Sequence, residues 1–213
     1  MKRWCILKFG DYFNNNSYAN RGMTLENDIN ETNNYYDINS IAIIYKKPTP
    51  IKVVNVEYPK AKIKEAYFNE PSTLDYTGIY KSKYIEFDAK ETKSKASFPI
   101  SNIHNHQIKH IEKILKHGGI AFLIIRFTTL NENYLLPGNY LLSFIKNFDR
   151  KSIPLEYLKK NAYSIDLKYN PRLDYIKIID KLNKRSRFYY LDLPFIFSLV
   201  LSINSTNWVL YIP

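Results

Sequence analysis

Residues 120–127, Ile-Ala-Phe-Leu-Ile-Ile-Arg-Phe, are apolar at odd and even positions alike. A strand with that pattern has no face to give to water, so it belongs in the middle of a sheet covered on both sides. The stretch just before it, 102–117, reads as the best helix of the chain. Ile103, Ile108, Ile111, Ile114 and Leu115 make one apolar stripe, and Gly118-Gly119 ends it. A helix feeding a doubly covered strand predicts an α/β layout, a central sheet flanked by helices.

The other segments fit that frame. Thr24 caps a helix on which Leu25, Ile29 and Tyr36 recur at helical spacing. Ser40 to Tyr45 reads as a buried strand, Asp75–Tyr80 and Tyr84–Lys90 as two strands joined by Lys81-Ser82-Lys83. Glu132–Leu136 predicts a strand and Gly138–Phe148 a helix, with weaker signals at Tyr163–Ile165 and Asp174–Ile179. Residues 1–20, with the polar run Asn14-Asn15-Asn16-Ser17, are expected to be a mobile N-terminal arm. The apolar stretch 189–213 is broken by Asp192, Pro194, Asn204 and Asn207. Its longest clean run, 194–201, falls short of the ~20 residues of a spanning helix, so no membrane span is expected.

Composition narrows the function. Six Gly in 213 residues argue against a glycine-rich nucleotide-binding design, and the lone Cys5 builds neither a disulfide framework nor a cysteine zinc site. A reducing compartment and no secretory signal are expected. Thirty-one Lys and Arg against 20 Asp and Glu leave a net charge of +11. A large partner is therefore polyanionic, either nucleic acid or an anionic membrane surface, unless the charge serves only to solvate the surface. Residues 46–68 carry six of the lysines, against Glu57 and Glu65. There Pro48 and Pro50 precede Ile51, Val53, Val54 and Val56, Pro59 interrupts, and 63–68 resume. This is an extended hairpin carrying Lys46, Lys47, Lys52, Lys60, Lys62 and Lys64. Lysines also keep ordinary edge strands from aggregating, so both readings stand at this point.

Chemistry concentrates in residues 71–95. Asp75 opens one strand, while Asp88 and Lys90, two apart, share one face of the next. Two carboxylates on adjacent strands beside a lysine suit a hydrolytic Mg²⁺ site, in which hard oxygens hold an ion that binds a phosphate oxygen and acidifies its water. Lysine then orients that water or stabilises the pentavalent phosphorane. Ion pairs at strand ends would give the same local pattern. Gln107 falls about 40° from the centre of the helix stripe, inside its buried face. Its amide needs a partner there, a metal or metal-bound water, or a backbone group of the neighbouring strand. His106, His110 and His117 share another side of that helix, where a zinc site lacks an evident fourth ligand despite Glu112 and Lys113 nearby.

Together, Asn20-Arg21-Gly22-Met23 with Leu25-Glu26, KKPTPIKVV, EAYF, PSTLDYTGIYKSKYIEFDAKET, SFPISNIHNHQIKHI, HGGIAF, RKSIP, Pro171-Arg172 and Asp174-Tyr175 resemble the RecU Holliday-junction resolvase family, in order from about Asn20 to Asp180. The resemblance implies a PD-(D/E)xK restriction-endonuclease-like core with a mixed sheet and a protruding basic hairpin stalk. It implies Mg²⁺-dependent cleavage of four-way DNA junctions, with Mn²⁺ as a substitute ion, by a cytoplasmic, nucleoid-associated homodimer. Roles in recombination, repair and chromosome segregation follow, with modulation of the RecA recombinase as a second activity. By motif, Thr73, Asp75, Asp88 and Gln107 would be the metal ligands and Lys90 the transition-state stabiliser, with Glu26 and Glu65 as supporting acids. Arg21 and the lysines of 46–68 would contact DNA phosphates, and contacts of that kind position a duplex without reading its sequence. The nuclease domain would span 21–180. The chain departs from the family at Asp88, where Glu is usual, at Leu74, at Asn147-Phe148-Asp149, and in a tail, 181–213, without a recognised counterpart. A junction-binding protein without cleavage is the alternative, and a membrane-surface protein leaves the ordered motifs unexplained.

Overall fold

The computed structural model describes residues 24–48, 50–60, 62–68 and 73–182. The expected arm over 1–20, Arg21 and all but the first two residues of the tail 181–213 lie outside them. The first helix, α1 (Leu25–Ile38), starts where Thr24 accepts a hydrogen bond from the Asn27 N–H (3.4 Å). The strands β1 (Ile43–Lys46), β4 (Tyr76–Tyr80), β5 (Lys83–Thr92), β7 (Ile120–Phe127), β8 (Glu132–Pro137) and β10 (Tyr163–Ser164) form a six-stranded sheet in the order β1-β4-β5-β7-β8-β10. The sheet is mixed: β5 and β7 run parallel, and its other neighbours are antiparallel. Parallel neighbours require a crossover, which here contains α2 (Asn105–Lys116). Two small sheets stand apart, β2 (Ile51–Glu57) with β3 (Lys62–Phe68), and β6 (Ser97–Pro99) with β9 (Ser152–Pro154).

Helices cover both faces of the sheet. On one side α1 and the helical residues 175–182 pack on Ile85, Phe87, Phe122 and Ile124. The Phe87 ring stacks between Tyr76 (4.8 Å) and Phe122 (4.6 Å), against Tyr175 (5.1 Å). On the other side α2, α3 (Gly138–Asn147) and α4 (Leu155–Asn161) cover Ala121, Leu123 and Ile125. Residues 121–127 of β7 are accordingly all buried, as the unbroken apolar run predicts. A buried ionic cluster fastens α1 to the sheet: Asp28 accepts from Arg126 (2.5 Å) and Arg172 (3.0 Å), and Arg126 also donates to Asn133 (2.7 Å).

Residues 40–45 differ from expectation. The strand starts only at Ile43 and runs to Lys46 at the sheet edge, with Ile44 buried while Ile43 and Tyr45 remain more than half exposed. An edge strand with a covered and an uncovered face needs no different composition from a central one, so apolar content alone did not separate them. The hairpin β2–β3 does form over the expected residues, and pairs with no other strand among those described. Most of its residues are exposed. The turn at Lys81 (φ 47) and Ser82 (φ 62) joins β4 to β5, both central residues being left-handed as a two-residue hairpin of this twist demands. No described helix is long and apolar enough to cross a membrane.

Candidate active site

Register brings the acids together. Tyr76 pairs with Phe87 across the antiparallel β4–β5 ladder, so Asp75, one residue earlier, sits opposite Asp88, one residue later. Alternation along β5 aims Glu86, Asp88 and Lys90 at the α2 side, while Phe87 and Ala89 turn toward α1. Asp88 is fully buried. Its Oδ2 accepts from Lys90 Nζ (2.8 Å) and Gln107 Nε2 (2.6 Å), and its Oδ1 from the Ala89 N–H (2.7 Å). Gln107, only 4% exposed, is held at its other end as well: Oε1 accepts from the His104 N–H (3.1 Å). The partner demanded by a glutamine on the buried stripe is thus the Asp88 carboxylate, and through it α2 is tied to β5.

Asp75 is half-buried beside Asp88. Loss of solvent, then the Asp88 charge and a hydrogen bond between the two carboxyls, push its pKa up, against the attraction of Lys90 and Lys46. Two adjacent carboxyls with a lysine at the rim form a donor set of hard oxygens, and a divalent cation would offset the repulsion that Asp75 meets from Asp88, so these residues fit a Mg²⁺-type ion. No group of three or more His, Cys, Asp or Glu converges on a ready-made metal cluster among the described residues. The histidines of α2 are spread instead: His110 meets Glu86 (2.9 Å), His106 stacks on His104 (5.4 Å) and His117 caps the helix end.

A cavity of about 350 Å³ adjoins Asp75 on the α1 side, lined by Thr24, Glu26, Tyr76 and Glu91 among others. Glu91 accepts from the Leu25 N–H (2.8 Å), one of the unpaired donors of the first helical turn, and so holds Glu26 at the rim. Glu26 pairs with Lys46 (2.5 Å). Glu65, the other supporting acid expected, sits on β3, where it accepts from Tyr67 (2.6 Å); among the described residues no hydrogen bond joins it to the acid pair.

Thr73 faces a second, neighbouring group. Its hydroxyl donates to Glu86 Oε1 (2.9 Å) and accepts from Lys47 Nζ (2.6 Å), which leaves one lone pair. Glu86 is fully buried and pairs with Lys47; its Oε2 accepts from Tyr84 (2.6 Å) and meets His110 (2.9 Å). Burial works to raise the Glu86 pKa, but the hydrogen bonds from Lys47, Tyr84 and His110 outweigh it and hold the carboxyl below its ordinary value. Glu86 was not among the residues expected to matter, although two-residue alternation with Asp88 and Lys90 could have marked it. The lysines expected to contact phosphate also divide. Lys47 is committed to Glu86 and Thr73, Lys46 to Glu26, and Lys60 (3.2 Å) and Lys64 (3.6 Å) share Glu57. Lys52 and Lys62 make no ion pair among the described residues.

A family model described as RecU, Recombination protein U, matches residues 20–181. The chain is 54% identical over 172 residues to the Holliday junction resolvase RecU of Geobacillus sp. (strain WCH70), covering 78% of this chain and 86% of that one. It is 51% identical over 176 residues to the Holliday junction resolvase RecU of Staphylococcus aureus (strain JH9), covering 80% and 85%. Among solved structures, Archaeoglobus fulgidus Hjc, a Holliday junction resolvase, matches at 11% identity and a TM-score of 0.31 over 43% of this chain and 69% of that one, too distant to carry weight.

Proposed function

We propose, from the premise that the chain belongs to the RecU family, that it resolves Holliday junctions by Mg²⁺-dependent phosphodiester hydrolysis in recombination, repair and chromosome segregation. The observation that carries this reading is the meeting of Asp75 and Asp88 with Lys90 Nζ 2.8 Å from the latter. Asp75 and Asp88 would hold the cation, with the remaining Thr73 lone pair as a neutral oxygen donor beside them; Gln107 would join as an oxygen donor only by turning its Oε1 from the His104 N–H toward Asp88. A bound Mg²⁺ supplies Lewis-acid polarisation of a phosphoryl oxygen and a more acidic water.

Lys90 brings positive charge to where negative charge develops on the phosphoryl group. Gln107 fixes the rotamer of Asp88 from α2, and burial on β5 keeps water from competing for that carboxylate. At Asp88 the side chain is one methylene shorter than the family's usual Glu, and at that length it accepts from Lys90, Gln107 and the Ala89 N–H.

Residues 21–180 form the nuclease domain in this reading, with 1–20 and 181–213 appended to it. The hairpin of 46–68 projects to the junction centre, and two copies of the chain place two such sites about a two-fold axis, which suits symmetric cutting of opposed strands. Modulation of the RecA recombinase is a second activity of the same DNA-binding surfaces, and the work is cytoplasmic, at the nucleoid.

The test is cleavage of a labelled, immobile four-way junction with Mg²⁺, beside linear duplex, by wild type and Asp75→Ala. Paired incisions confined to the junction and lost in the variant are expected, with binding retained. Tight junction binding and no cutting by wild type in Mg²⁺ or Mn²⁺ would overturn the enzymatic reading and leave a junction-binding protein.

A further inference from the structure

Among the described residues the β2–β3 hairpin shares no sheet with any other strand, so the contacts at the two ends of the hairpin set its direction. Among the described residues, Lys47 precedes the hairpin and Thr73 follows it, each bonded to the core. These two feet are bonded to each other, Lys47 Nζ donating to Thr73 Oγ1 (2.6 Å), and the Lys47 N–H donates to the Asp75 carbonyl (2.7 Å). One carboxylate joins both feet to the core. Glu86 Oε1 takes Lys47 Nζ and the Thr73 hydroxyl (2.9 Å), and the Leu74 N–H lies 3.4 Å away. Glu86 Oε2 is held from the opposite side by Tyr84 (2.6 Å), itself accepting from Thr77 (3.0 Å), and by His110 of α2 (2.9 Å).

A buried carboxylate is costly unless its lone pairs are filled, and here they are filled from four separate places in the chain. Glu86 lies two residues before Asp88 on the same face of β5. The clamp on the hairpin feet and the acid pair are therefore parts of one strand.

We propose that Glu86 is a positioning residue: it clamps both feet of the hairpin to the strand that carries Asp88 and Lys90, and so sets which phosphates of a bound junction meet the acids. This rests on the reading that the hairpin engages the junction and the acids cut it. A loosened clamp lets the hairpin swing while the acids stay in place. The scissile phosphate then no longer arrives at one position, and a misplacement of 1 Å is enough to cost about 10²-fold in rate.

The test uses the full-length chain with Cys5→Ser and spin labels on cysteines introduced at Lys60, in the hairpin, and Glu112, on the exposed side of α2. The distance distribution between them is measured by double electron–electron resonance, and incisions on an immobile junction are mapped to the nucleotide. Glu86→Gln is the first variant. Glu86→Gln with Lys47→Met is the second; it removes both charges together and so leaves no unpaired lysine at a half-buried site if the single change unfolds the protein. A broadened distance distribution is expected, with incisions spread over several phosphates and paired cutting at the wild-type position reduced roughly 10- to 100-fold. An unchanged distribution with cutting merely slowed in place would overturn the proposal, since that is what loss of fold stability alone produces. The distance measurement needs no DNA and no cleavage. Failure of wild type to cut junctions would therefore count against the enzymatic reading, while an unmoved hairpin would count against the clamp.

Discussion

The acid site and the basic hairpin hold their charges in opposite ways. Asp88 and Glu86 are fully buried, and the oxygens of each accept from donors on β5 itself and on other parts of the chain. On the hairpin, the lysines of β2 and β3 stand exposed on a two-stranded ribbon, paired to Glu57 or to nothing described. A buried group that loses a partner suffers the full cost of an unmet polar atom, whereas an exposed one exchanges its partner for water. Geometry is consequently a property of the first region and charge a property of the second. Substitutions should separate them by size and by kind of effect.

The largest effect is expected beneath the site. Phe87→Ala empties a position stacked between Tyr76 and Phe122 and should cost about 3–5 kcal/mol of stability in urea denaturation. A cost below ~1 kcal/mol would mean that the strand bearing Asp88 is not held by this core. Next comes Asp88→Asn, which keeps the shape but removes the charge opposite Lys90. Junction cleavage should fall by at least about 10²-fold, the scale of losing one preorganised electrostatic partner, while junction binding persists. Retained cleavage would move the chemistry elsewhere.

Much of the first region was legible in the sequence because its signals are local. The run at 120–127 announced a doubly covered strand, two-residue spacing put Asp88 and Lys90 on one face, and the helical angle of Gln107 showed that it needed a buried partner. What could not be read was long-range pairing. Nothing within a few residues of Ser40–Tyr45 says that the strand ends up at the sheet edge, because that depends on β4 lying only on its other side. Lys47 looked like its lysine neighbours, since charge does not tell where an ammonium group is aimed. Its partner Glu86 lies 39 residues away, and His110 reaches Glu86 from 24 residues further on. The resemblance to a family put forward candidate ligands, but Glu86 emerged only when alternation along β5 was combined with the fold.

On the hairpin the expected effects are smaller and of another kind. Lys52→Ala with Lys62→Ala should leave stability within about 0.5 kcal/mol, since no buried group is touched. If both meet phosphates, the slope of log affinity for the junction against log salt should become shallower by about 0.9 per lysine, or roughly 2 for the pair. A steep loss of stability would show that the ribbon is part of the core after all, and an unchanged slope would remove these lysines from the interface.

The smallest effect expected is a gain. Glu57, on the hairpin, holds Lys60 at 3.2 Å and Lys64 at 3.6 Å. Both lysines are largely exposed, so each pair contributes only about 0–1 kcal/mol. A phosphate approaching this end of the ribbon must compete with that carboxylate for two ammonium groups. Glu57→Gln removes the competitor and one negative charge while keeping the length of the side chain. Junction affinity should rise, and its salt slope should steepen by up to roughly 1–2, as lysines freed from Glu57 begin to displace counterions from the DNA. Filter binding across a salt series, without divalent cation so that nothing is cut, measures this directly. Weaker binding would mean that Glu57 holds the two lysines in the orientation the DNA needs, and the hairpin would then share with the acid site a dependence on fixed geometry rather than on charge alone.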